Sequence, residues 1–325
     1  MNYSKKLRPL YLYDFLQSST DENCGVTMSE IIDYLYSLNI TAERKAIYDD
    51  IMLLTEYYNA DIMNVRNGKR SEYRLMSRKF QLAELRLLVD AVQSSKFITA
   101  KKSDSLIKKL KTLAGPTDAE TISGQVVVTG RIKSMEETIY YNVDKINLAI
   151  SKNRQISFNY FEWTPEKQKR LKRDGKKYVV SPLSLCWDDE NYYLIADENG
   201  TIKHFRVDKT NNIVICDQLR QNTNFDSGSY TNRVFGMFGG EECDVTLECD
   251  NSLAGAVIDR FGKNIIIVPH NNTFTFTVTV RISPQFFGWL CGFGDKIKIL
   301  SPKSVKDEFL ATVNSICNTY RSNNE

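Results

Sequence analysis

The spacing of apolar residues changes near Asn153, from a mostly helical period to runs of strands, and that change limits the fold more than any single motif does. Before it, apolar side chains recur every three or four residues, as in helices that bury one face. After it they alternate, as in half-buried strands. A chain of 325 residues patterned this way is mainly helical up to Asn153 and mixes strands with helices beyond it, an α+β multidomain order.

The first helix is predicted over 3–17, where Leu7, Leu10, Tyr11, Phe15 and Leu16 form a stripe, and a polar break follows over 18–25. Thr27-Met28-Ser29-Glu30 has the pattern of a capping box and opens a second helix that buries Ile31, Ile32, Leu35 and Leu38. Thr41 is expected to cap a third, with Ile47, Ile51, Leu54 and Tyr58 inward and Glu43, Arg44, Lys45 and Tyr48 on the other faces. Short strands over 61–65 and 72–75 then flank the turn pair Asn67-Gly68 with Arg66, Lys69 and Arg70.

Three helices and a basic hairpin predict a winged helix-turn-helix over 1–76, with double-stranded DNA as the partner. The third helix fits a major groove, with Arg44 and Lys45 toward base edges and Glu43 and Tyr48 beside them; the hairpin, with Arg66, Lys69 and Arg70, straddles phosphates or enters the adjacent minor groove. Residues 1–75 hold nine Lys or Arg against eleven Asp or Glu, so non-specific affinity from this domain alone is weak, and protein contact is the competing use of the surface.

A helical linker is predicted over 77–152. Leu82, Leu85, Leu88, Val89 and Val92 form one stripe, and Leu106, Ile107, Leu110 and Leu113 another. A loop is expected over 114–124 and a further helix over 136–152 through Ile139, Val143, Ile146 and Ile150. Nine basic residues face three acidic ones over 76–112, with Lys108, Lys109 and Lys111 near the negative end of a helix dipole.

Past Asn153, five short strands are predicted within about sixty residues, with Pro182 bending or breaking the second, which points to a small barrel or a strongly bent sheet. The segments Ile156-Ser157-Phe158-Asn159-Tyr160, Tyr178-Val179-Val180-Ser181-Pro182-Leu183-Ser184-Leu185, Asn191-Tyr192-Tyr193-Leu194-Ile195-Ala196 and Phe205-Arg206-Val207-Asp208-Lys209 closely resemble the WYL domain. The naming triplet appears as Tyr192-Tyr193-Leu194, with Tyr in place of the first Trp. Phe286 to Gly294, followed by Ile297-Lys298-Ile299-Leu300-Ser301-Pro302, is similar to the C-terminal extension of WYL regulators.

The resemblance implies an Sm-like WYL domain over 153–220 that senses a nucleotide or single-stranded nucleic-acid effector, and a C-terminal extension over 221–325 in a homodimeric transcription regulator. The matching effector positions are Tyr160, Tyr178, Ser181, Tyr193, His204 and Arg206. Their chemistry suits the role: Arg binds a phosphate, Ser and His add hydrogen bonds, and Tyr stacks bases. Tyr160 and Tyr178 serve equally well as core. The loop over 167–177, with Lys169, Arg170, Lys172 and Arg173, is an accessory basic surface or a solvated hairpin tip. The C-terminal pattern β-α-β-β-α-β-α resembles a ferredoxin-like unit with an extra helix.

No enzyme is expected. Gly236-Met237-Phe238-Gly239-Gly240 lacks the Lys-Ser/Thr ending of a phosphate loop, and Asp188-Asp189-Glu190 reads as an exposed hairpin turn. Seven scattered Cys without a C-x-x-C pair and two His without metal spacing predict reduced thiols, no metal and no cofactor. No apolar run reaches the length of a membrane span, and a cytoplasmic location is expected. The alternative function is a non-catalytic accessory factor that binds single-stranded nucleic acid or a protein.

Overall fold

The computed structural model describes residues 4–122, 138–221 and 224–321, and the chain divides into two compact units, Met1–Glu137 and Thr138–Glu325. The parts of the helix, loop and linker expectations at residue 3, at 123–124 and at 136–137 lie outside the described residues.

The first unit begins with α1 (Ser4–Ser19), β1 (Val26–Thr27), α2 (Met28–Ser37) and α3 (Arg44–Glu56). α2 starts where the capping pattern places it. The Glu30 amide donates to Thr27 Oγ1 at 3.3 Å, and the Thr27 amide donates to the Glu30 carboxylate at 2.6 Å. α3 corrects the expectation for Thr41: the N-cap is Glu43, without a side-chain cap bond, because Thr41 and Ala42 are spent bringing the chain round from the turn at Asn39 (φ 60°). Leu12, Leu16, Ile31, Leu35, Ile47 and Leu54 meet in one core. Arg8 binds the Asp50 carboxylate and the Ala46 carbonyl, which ties α1 to α3.

β2 (Ile62–Asn67) and β3 (Arg70–Leu75) form a hairpin closed by Gly68, whose φ of +62° favours glycine, and β1 adds to β3 in the antiparallel order β1-β3-β2. The stretch 81–113 is two helices, α4 (Leu82–Ser94) and α5 (Ala100–Lys111). The polar pair Ser94-Ser95 ends the first, and Thr99 Oγ1 caps the second by accepting from the Lys102 amide at 3.2 Å. The expected loop contains α6 (Pro116–Thr121), since Pro116 at the first helical position is pre-set for a helix. Leu85, Val89, Ala114 and Ile122 bury together, and the Asp21 carboxylate accepts the Thr117 amide at 2.9 Å, joining α6 to the loop after α1.

The second unit opens with α7 (Thr138–Ser151), followed by β4 (Arg154–Trp163), β5 (Lys169–Leu171), β6 (Tyr178–Asp188), β7 (Asn191–Glu198), β8 (Thr201–Arg206) and β9 (Thr210–Leu219). The strands run β5-β4-β6-β7-β8, with β9 also on β4 and every pair antiparallel. Pro182 sits at a register shift between β6 and β7, so it bends β6 without ending it. The sheet curls into a half-barrel; among the described pairings β8 does not close onto β9. α7, expected within the linker, packs on this sheet instead. Ile146 and Ala149 are fully buried, and Asn142 Nδ2 donates to the Thr210 carbonyl at 2.9 Å.

A short α8 (Ser227–Asn232) leads to β10 (Glu242–Asp250), α9 (Ala254–Phe261), β11 (Ile267–Pro269), β12 (Thr273–Arg281), α10 (Pro284–Cys291), β13 (Ile297–Ser301) and α11 (Lys303–Arg321). The sheet order is β11-β12-β10-β13, all antiparallel, so each helical crossover joins two strands with a third between them. Val245, Leu247, Phe274, Phe276, Phe286 and Leu290 form its core. Phe287 is buried there too, and Trp289 packs against it. No helix among the described residues is long and apolar enough to cross a membrane.

Candidate nucleic-acid and effector surfaces

Two groups of side chains merit a functional reading, one in each unit. In the first unit Arg44 and Lys45 occupy the opening turn of α3, and Arg66, Lys69 and Arg70 the tip of the β2–β3 hairpin. All five are exposed, and none makes a hydrogen bond or ion pair with a described residue. Glu43 is exposed beside them. Tyr48 is only half free: its hydroxyl bonds to Tyr73, whose own hydroxyl is pushed up to about 12, first by burial and then by that bond.

In the second unit the centre is Arg206, at the end of β8. Its Nε and Nη2 grip the Asp208 carboxylate at 3.0 and 2.8 Å, and Nη2 also donates to Asn191 Oδ1 at 2.8 Å. The bond to Asp208 raises the guanidinium's pKa against a lowering by burial. Among the described residues, the Nη1 edge has no hydrogen-bond partner. The Arg206 amide donates to the Tyr160 hydroxyl at 3.2 Å, and Tyr193 lies opposite Arg206 in the β7–β8 register. Burial pushes Tyr160 up to about 12 and raises Tyr193, so both phenols stay neutral.

The structure therefore brings Tyr160, Tyr193 and Arg206 together, sets Tyr178 against the buried side of Tyr160, and ties Ser181 and His204 to other partners. Tyr178 is 7% exposed and packs with Phe158, Phe205 and Tyr160 in an aromatic cluster. His204 Nε2 shares a hydrogen bond with the Tyr230 hydroxyl at 3.0 Å, and burial lowers its pKa. The buried Ser181 hydroxyl accepts from Gln155 and from the Gln221 amide, on the wall of a polar cavity of about 250 Å³ that Asp197 and Glu198 also line.

The basic loop is largely neutralised. Arg170 and Lys172 share Glu162 at 2.5 and 3.3 Å, and hydrogen bonds from them hold that carboxyl below its usual range. Arg173 grips Glu198 through both Nη atoms at 2.6 and 2.7 Å and stacks on Tyr178 at 3.9 Å. Lys169 lies over Phe161 at 4.6 Å. Sequence reasoning missed the acids that fix these cations: Asp208, Glu162 and Glu198. Asp208, two residues past Arg206, was the one with a local signal.

These features define a curled antiparallel domain with an Arg-centred polar patch, followed by an α+β extension. Residues 141–214 match the WYL domain and residues 241–316 the WCX domain, so the chain carries both domains in that order. No curated protein matches it. Among solved structures it is similar to proteasome accessory factor B/C (PafBC) of Arthrobacter aurescens. Identity is 19% and the TM-score 0.28, over 96% of this chain and 48% of that one. It is also similar to a CRISPR Cas-related protein, at 14% identity and a TM-score of 0.36, over 90% of this chain and 78% of the other. This chain thus spans about half the length of the PafBC chain.

Proposed function

We propose that this protein is a DNA-binding transcription regulator. Its first three helices and hairpin act as a winged helix on duplex DNA, and its WYL domain, an Sm-like half-barrel, senses a nucleotide or single-stranded nucleic-acid effector. The carrying observation is the set of five exposed, unpartnered cations on α3 and the hairpin tip, ahead of a WYL–WCX pair. Arg44 and Lys45 at a helix N-terminus suit base edges, and the hairpin cations suit phosphates.

On the effector side, Asp208 and Asn191 fix the plane of Arg206 and leave Nη1 for a phosphate oxygen, while Tyr193 supplies a neutral ring beside it. A homodimer, with the ferredoxin-like extension completing each protomer, would place two α3 helices on a symmetric operator. An effector switches such a protein only if its affinity differs between two arrangements.

Capture of sheared genomic DNA by the purified chain, in parallel with an Arg44→Ala, Lys45→Ala variant, tests the reading. The expected result is a shared sequence enriched by the first and lost by the second. Equal enrichment by both would remove α3 from the recognition role. No enrichment with or without added mononucleotides and single strands would leave the accessory-factor reading in its place.

A further inference from the structure

The region expected to read DNA has the wrong net charge to hold it. Residues 1–75 carry eleven acids against nine bases, whereas 76–112 carry nine bases against three acids. Both stretches belong to the first compact unit. The Asp21–Thr117 hydrogen bond joins them, as does Arg78, which donates to the Gln17 carbonyl at 2.8 Å and to the Thr20 carbonyl.

Within α5, Lys101, Lys108 and Lys109 are seven and eight residues apart, about two helical turns, and so share one face spanning about 10–12 Å. All three are exposed, and none forms an ion pair or hydrogen bond with a described residue. The opposite face is taken up by the core: Ser103 is buried, and Ile107 and Leu110 pack against the Leu85–Val89 cluster. Asp104 is the one acid of the helix, and it is exposed without an ion pair.

Helix stability does not account for the whole of this face. Lys108 and Lys109 suit the negative C-terminal end of the dipole, and Asp104 stands at helix-neighbour spacing from Lys101 and Lys108, but one acid leaves the face with a net charge of two, and Lys101 stands in the first turn, where a cation is opposed by the positive end. The span matches about three nucleotide steps of 3.4 Å along one strand. We infer that the outer face of α5 is a second duplex contact, a phosphate-tracking surface that supplies the sequence-independent affinity the acidic N-terminal region lacks. This inference rests on the duplex-binding reading.

The test is fluorescence anisotropy of the full chain with a mixed-sequence duplex oligonucleotide over a range of potassium chloride concentrations. Lys101→Gln, Lys108→Gln, Lys109→Gln is compared with a charge-matched control, Lys263→Gln, Lys296→Gln, Lys306→Gln, on exposed lysines of the second unit. Each lost phosphate contact lowers the slope of log K against log salt by about 0.9. The α5 variant is expected to lower it by about 2 to 3, with circular dichroism unchanged, and the control to leave it in place. An unchanged slope in the α5 variant, or an equal drop in the control, overturns this inference and leaves the α3 reading standing. Failure of the unaltered chain to bind any duplex overturns both.

Discussion

Two groups of cations, one in each unit, are held in opposite ways. On α3 and the hairpin, Arg44, Lys45, Arg66, Lys69 and Arg70 make no ion pair or hydrogen bond with a described residue, while in the WYL domain Arg170, Arg173, Lys203 and Arg206 are each bound to a carboxylate. An unpartnered exposed cation attracts any polyanion and is screened by salt. A cation held by two hydrogen bonds has lost much of that attraction and gained a fixed orientation. The first arrangement suits a long backbone of phosphates, and the second a single group in one pose. The difference separates affinity from selectivity within one chain.

The sharpest way to break the comparison is to ask whether the WYL aromatics are a scaffold or a ligand surface. Phe158 is fully buried and contacts Tyr178 and Phe205 at centroid distances of 5.6 and 5.1 Å. Phe158→Ala is expected to lower the stability of the second unit by about 3–5 kcal/mol. All three Trp residues, 163, 187 and 289, lie in that unit, so tryptophan fluorescence during urea denaturation reads it directly. A loss under about 1 kcal/mol would mean the ring sits in space that a ligand fills.

The paired cations supply a smaller contrast. Glu198 is 8% exposed and holds both Arg173 and Lys203, and the Arg173 hydrogen bond is the main cause of its lowered pKa. Arg173→Ala strips that buried carboxylate of two donors, at a cost of about 1–3 kcal/mol. The lower end is expected, since Arg173 is 40% exposed and Lys203 remains. Lys172→Ala removes an exposed partner of Glu162 and is expected to leave the urea midpoint unchanged. Equal urea midpoints for the two variants would show that the loop is electrostatically uniform and that the Arg173–Glu198 grip holds nothing in place.

What the sequence could reveal follows from the range of each interaction. The capping box at Thr27, the period change near Asn153 and the sequence of helices and strands along 242–321 are written in neighbours a few residues apart, and they read correctly. α6 was hidden because six residues carry too little periodicity, although Gly115-Pro116 marked its start. The packing of α7 on the sheet was not legible, since its apolar stripe says that a face is buried but not against what. The same limit governs the candidate site. Arg206 was readable as an Arg among apolar neighbours, yet Asn191 is fifteen residues away and Glu198 reaches Arg173 across twenty-five. Charge pairing over such separations is a property of the fold.

The smallest expected effect concerns His204. Its ring is held by Tyr230 at 3.0 Å and by the Met237 main chain, with Arg281 packed on the other face of Tyr230 at 4.7 Å. Burial is the main cause of its lowered pKa, and the Arg281 charge lowers it further. The unfolded chain therefore takes up the proton first as the pH falls. Stability from the neutral ring is complete above the unfolded value of about 6.5 and is lost as the pH drops through it toward the folded value, with a slope of at most about 1.4 kcal/mol per pH unit. Glu198 is depressed as well, but its share fades only below the ordinary carboxylate range, and Asp188, raised by burial, gains stability as it takes up its proton and so works against the imidazole; the comparison with a His204 variant isolates the ring. Urea midpoints just below about pH 6.5 should fall more steeply in the parent than in His204→Gln, whose amide can still accept from Tyr230. Parallel curves would mean that the ring takes its proton without leaving Tyr230, and that this contact between the WYL sheet and α8 is as indifferent to pH as the free cations of α3.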